Sequence, residues 1–154
     1  MVTKGKIPMV MKMKGSKDVL FSIIKTAQMG QTGIRSVLKA PLRVSMKEAL
    51  HQQLREYDAI EREALELAAV RGWAPEQLDP AVKAMSNMMT KMKLATGDPT
   101  SKAAAMMIQG NTRGIIKGYK NLNQFPPSDQ RIITLSQKLL DCEKAGCQQM
   151  QGFL

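Results

Sequence analysis

The sequence predicts an all-α chain folded as a four-helix bundle: two antiparallel helical hairpins joined by a crossover that carries a short extra helix. Three observations predict it. Apolar residues recur at helical spacing in four long segments, while β-branched residues are scattered and never alternate for long. Breaks bearing proline or glycine separate those segments in the order short turn, long gap, short turn. Aromatics make up only 4% of the chain and there are 13 methionines, so the core has to be aliphatic and Met-rich. A length of 154 residues fits one domain with a real core.

Residues 1–16 read as a loose basic arm, and residues 17–154 as a single bundle domain. Ser16 is placed to cap the first helix, with Asp18 in its first turn. That helix runs from about Lys17 to Lys39 on the stripe Leu20, Ile23, Ile24, Ala27, Ile34 and Leu38, with Gln31 in its middle. Gly30 and Gly33 lower its helix propensity and point to a close helix contact or a local irregularity. Pro41 marks a short turn, with Ser45 a possible cap for the second helix.

The second helix, Arg43–Arg71, contains no glycine or proline and organises the chain. Met46, Ala49, Leu50, Gln53, Tyr57, Ile60, Ala64, Leu67 and Ala68 share one face, and Glu48, His51, Arg55, Asp58, Arg62 and Glu66 the other. Gly72 ends it, followed by Trp73-Ala74-Pro75. Asp79-Pro80 then starts a short helix to about Ala95, with Val82, Met85, Met88, Met89 and Met92 on one face. At 1.5 Å per residue these roughly sixteen residues span about 24 Å, most of a bundle's length, which suits a crossover.

Gly97-Asp98-Pro99 breaks that segment, and Thr100 or Ser101 begins a helix to about Asn123. It carries a G-x-x-x-G ladder at Gly110, Gly114 and Gly118. In lipid this spacing brings helices together, but Asn111, Arg113, Lys117 and Lys120 make the segment too polar to span a bilayer. The expected use is tight packing inside the bundle, with a helix of a second subunit as the alternative. Phe125-Pro126-Pro127 makes the second short turn. The last helix, about Asp129 to Gly152, has the stripe Ile132, Leu135, Ser136, Leu139, Glu143, Gly146, Cys147 and Met150.

The formal charge of +10 is uneven: Lys4, Lys6, Lys12, Lys14 and Lys17 fall in the first 17 residues without an acid. Such an arm can stay solvated or contact nucleic acid or an anionic membrane. No apolar run is long enough to span a bilayer, and the arm has no uninterrupted apolar stretch of a secretory signal. Cys142 and Cys147 point apart on one helix, so free thiols in a cytoplasmic protein are expected. Lys102, Arg113, Lys117 and Lys120, with one tyrosine, are too few for a clear nucleic-acid motif.

A di-iron bundle needs inward Glu on two helices and Glu-x-x-His on the other two. The one Glu-x-x-His, Glu48 to His51, falls on the charged side of its helix, and His51 is the chain's single histidine. The inward polar residues are instead Gln31, Gln53, Asn111 and Glu143, with Tyr57 one turn from Gln53. Amide oxygens bind transition metals weakly, so a hydrogen-bonded layer that fixes helix register is expected, with a degenerate metal site the alternative. Arg35 or Arg113 could neutralise Glu143; otherwise its pKa should rise. Met85, Met88, Met89 and Met92 read as core filling or a face for a partner helix; Cu(I) binding would lack help from nearby Cys or His.

The hairpin GIRSVLKAPLRVSMKEALHQQLREYDAIEREALELAAVRGW and the ending SDQRIITLSQKLLDCEKAGCQQMQGFL resemble bacterial ferritin-like domains of unknown function. The resemblance implies a ferritin-like bundle, possible dimerisation, and a family in which some members hold metal-site carboxylates. Only Glu143 stands as a plausible remnant of such a set. The expectation is a non-enzymatic bundle that works by self-association or by binding a protein. The alternatives are an iron or other transition-metal protein using Glu143, and a binder of nucleic acid or anionic membrane through the arm.

Overall fold

The computed structural model describes residues 15–80, 97–124 and 129–154. Among them are four helices and no strand: α1 (Ser16–Val37), α2 (Val44–Val70), α3 (Pro99–Gln124) and α4 (Gln130–Gln151). Residues 81–96, with Met85, Met88, Met89 and Met92, lie outside the described residues. So do the arm up to residue 14 and the Phe125-Pro126-Pro127 turn.

The nine stripe residues of α2 are its buried residues, Met46 through Ala68. An uninterrupted amphipathic pattern of 27 residues leaves only one face that can enter a core. α1 buries Val19, Leu20, Ile23, Ile24, Ala27 and Ile34, and α4 buries Ile132, Leu135, Leu139 and Leu140. Leu140 takes the place expected for Cys147, which is half-buried. α3 differs in kind. Its buried face is Thr100, Ala103, Ala104, Met107, Asn111, Gly114 and Asn121, which is small or polar at all but one position.

Contacts fix the helix directions. Lys138 pairs with Glu63, Tyr57 meets Glu143, and Gln53 meets Gln149. Partners advance along α4 as α2 is followed backwards, so the two are antiparallel. Gly118 lies against Leu140 and Gly114 against Glu143, so α3 and α4 are antiparallel too. Asn121 near the end of α3 donates to Ser22 Oγ near the start of α1 at 3.1 Å.

The helix ends correct three expected caps. Gly15, not Ser16, is the cap position of α1, and Ser16 is already inside the helix. Asp98, not Thr100 or Ser101, caps α3: its Oδ1 accepts from Thr100 N–H at 3.1 Å, with Pro99 at the first helical position. Thr100 is thereby freed to serve another helix. Its Oγ1 accepts the Arg43 backbone N–H at 3.0 Å. Ser45 lies inside α2 and is exposed. The start of α2 is thus held by α3, and the two helices begin at the same end. At the other end Gly72 takes φ +72° after α2, a conformation costly for any residue with a Cβ. Arg71 there forms an ion pair with Asp129 at 2.6 Å.

Thr100→Val is expected to lower stability in urea denaturation by about 1 kcal/mol, the usual net worth of one hydrogen bond, and Thr100→Ser to retain it.

Candidate functional site

α2, α3 and α4 bring Tyr57, Asn111 and Glu143 together in the core, each about 2% exposed. The Tyr57 hydroxyl donates a hydrogen bond to Glu143 Oε1. Asn111 Nδ2 donates to the same Oε1 and to the Tyr57 hydroxyl, each at 3.2 Å. Two glycines make the room. An added Cβ at Gly114 would stand 1.3 Å from Glu143 Oε2, so the carboxyl occupies the volume a side chain would need. At Gly30 on α1 a Cβ would stand 2.7 Å from the Tyr57 ring, so the ring is seated directly on the α1 backbone.

Neither Arg35 nor Arg113 neutralises Glu143. Arg35 reaches Gln31 Oε1 at 3.5 Å, and Arg113 is exposed. Burial without a countercharge pushes the Glu143 carboxyl up from 4.5 to about 8. At neutral pH it is mostly a neutral acid, whose carbonyl oxygen still accepts from Tyr57 and Asn111.

The other expected members of the layer are placed differently. Gln53 is buried one turn along α2, and its Nε2 donates to Gln149 Oε1 at 2.8 Å. Gln53 Oε1 and Asn111 Oδ1 both lie within about 3.3 Å of where a Gly146 Cβ would be. Both are buried and receive no hydrogen bond from the described residues. Gln31 is buried but does not join the cluster. Its Nε2 donates to Glu61 Oε1 at 2.7 Å, while Gln28 Nε2 donates to Glu61 Oε2 at 2.9 Å. The ring of Tyr57 takes the space at Gly30, and Gln31, about 100° further around α1, is turned to the edge shared with α2.

Sequence reasoning missed Glu61 and Gln149. Glu61 was detectable as the position four residues after Tyr57, at the margin of the apolar stripe. The glycine ladder divides. Gly114 and Gly118 lie against α4, a Gly118 Cβ standing 3.1 Å from Leu140 Cδ1. Gly110 is exposed and meets nothing within 4 Å. A four-residue step turns a helix by about 400°, so each rung drifts about 40°, and the third rung leaves the contact face.

A ferritin-type metal centre does not fit this donor set. Glu143 is surrounded by a phenol and amides, and Glu48 and His51 are exposed on the outer side of α2. Among the described residues no three His, Cys, Asp or Glu side chains are grouped as metal ligands. Two surface hollows of about 150 Å³ involve other residues, one around Glu63, Arg131 and Thr134, the other around Gln28, Gln31, Arg35 and Glu61. No described helix is long and apolar enough to cross a membrane. Cys142 and Cys147 are free, and Cys142 Sγ lies 3.8 Å from Glu56 Oε1.

No protein-family description matches the sequence, and no curated protein matches it. A solved structure, that of a DUF305 fragment from Deinococcus radiodurans, is similar to this chain in fold. Its TM-score is 0.70 at 10% identity, covering 89% of this chain and 93% of that one. At that identity the likeness concerns the fold alone: an all-helical domain.

Two predictions follow from the packing and the protonation. Gly114→Ala should lower stability in thermal melts by about 3 kcal/mol, the upper range for overpacking, whereas Gly110→Ala should be neutral or raise it by up to about 1 kcal/mol. The folded state holds the Glu143 proton more tightly than the unfolded chain. This group's contribution is therefore fully present below about pH 4.5 and is lost as pH rises through about 8. Denaturation measured across that window should show the decline, and Glu143→Gln should flatten it.

Proposed function

We propose that this chain is a non-enzymatic, ferritin-like bundle that works by association through its surface, with the polar cluster as a structural element. The observation that carries the reading is the seating of Glu143. Its carboxyl fills the space over Gly114 and is engaged by Tyr57 and Asn111, an arrangement that fixes helix register and leaves one carboxylate where a di-metal centre requires several. The helix directions of a ferritin-like bundle agree with the contacts: α2 and α3 start at the same end through Arg43 and Thr100, and each is antiparallel to α4.

Self-association is supported by apolar residues left outside. Val44 is 71% and Leu154 65% exposed, at the end of the bundle where Arg43 lies over the Phe153 ring. Light scattering should give at least twice the chain mass, reduced by Val44→Glu with Leu154→Glu. Protein incubated with Fe(II) and then desalted should retain no stoichiometric metal. Retention of about one metal per chain that disappears in Glu143→Gln would replace this reading with a metal-binding one.

A further inference from the structure

We propose that the outer face of α3 is a nucleic-acid-binding surface, read through the phosphate backbone. The inference rests on the reading that the chain acts through its surface, and it names a partner class for one face.

α3 contains no acid from Pro99 to Gln124. Arg113, Lys117 and Lys120 stand at i, i+4 and i+7, so they share one stripe about 10 Å long. All three are exposed, and none forms an ion pair among the described residues. The ion pairs among the described residues are held by Arg62 of α2, Arg71 just after it and Lys138 of α4. Within the α3 stripe Ile116 is 52% and Tyr119 44% exposed. Lys144 of α4 donates to the Tyr119 hydroxyl at 2.9 Å and lies over its ring, which extends the cationic strip onto α4. Asp141 of α4 accepts from Gln137 at 3.0 Å, and its charge also acts on Lys144.

The composition of the face selects among polyanions. Besides its cations α3 exposes Gln109 and Asn123, neutral side chains whose amides can donate to phosphate oxygens. A protein interface would need an apolar centre, and a membrane surface an apolar stripe to insert. Ile116 and Tyr119, set among Arg113, Lys117 and Lys120, form neither. Neutralised phosphates release counterions, so a row of unpaired cations on a rigid helix makes binding strongly salt-dependent.

The test uses the full chain and a fluorescent 20-base-pair duplex of mixed sequence, with anisotropy read from 50 to 200 mM salt. The wild type should bind at low salt, log K falling linearly with log salt at about −0.9 per phosphate contacted. Arg113→Gln with Lys117→Gln and Lys120→Gln should make the slope shallower by about 2 to 3 and weaken binding at least tenfold at 50 mM, with an unchanged melting curve. The proposal is overturned if the duplex does not bind at 50 mM, or if the triple variant binds like the wild type. It is also overturned if an acidic peptide or anionic vesicles displace the duplex and themselves bind more tightly. Absence of binding in a chain that retains no metal removes this inference alone. Metal retained through Glu143 removes the reading beneath it, whatever the duplex does.

Discussion

The contact between Tyr57 and Glu143 is the constraint on which the centre of this bundle depends. A phenol from α2 and a carboxyl from α4 can meet there only because α1 and α3 give up side chains at Gly30 and Gly114. Four helices are thereby set at fixed heights by a single pair. A core of interchangeable aliphatic side chains tolerates sliding by a turn, whereas a polar pair lined up with two glycines does not. The same pair explains why the carboxyl is tolerable. As a neutral acid it costs far less to bury than a carboxylate, and its oxygen is still satisfied.

The thinness of α3 follows from this centre. With Gly114 and Gly118 against α4, the α3 backbone approaches that helix closely, and apart from Met107 its buried face holds small or polar residues. Ile116 and Tyr119 are exposed beside Arg113, Lys117 and Lys120. Tight packing on one side and an unpaired cationic surface on the other are two results of one distribution of small and large residues.

The sequence exposed those parts of the fold that depend on local periodicity. All nine residues of the α2 stripe are buried, because a long helix without interruption has one apolar face and little freedom over which it is. Breaks at Gly72 and at Gly97-Asp98-Pro99 were legible for the same local reason. What the sequence hid depends on how two helices are aligned. Gln31 lies at a core position of its own helix, yet its partner is Glu61, since the neighbouring Gly30 is where Tyr57 lands. The three glycines of α3 look equivalent along the chain, yet Gly114 and Gly118 lie against α4 and Gly110 does not. Thr100 looked like a cap for its own helix and instead serves α2, a relation across 57 residues that no local pattern encodes.

Cys142 carries a consequence of a different kind. Burial, and after it the neighbouring Glu56 carboxylate, push its thiol up to about 12. The thiolate is the species that oxidants, alkylating reagents and disulfides attack, and at that acidity almost none exists at neutral pH. The same carboxylate that accepts the S–H also repels the negative charge needed for reaction. Burial of the sulfur and the adjacent Glu56 carboxylate together make Cys142 a weaker nucleophile than an ordinary surface cysteine.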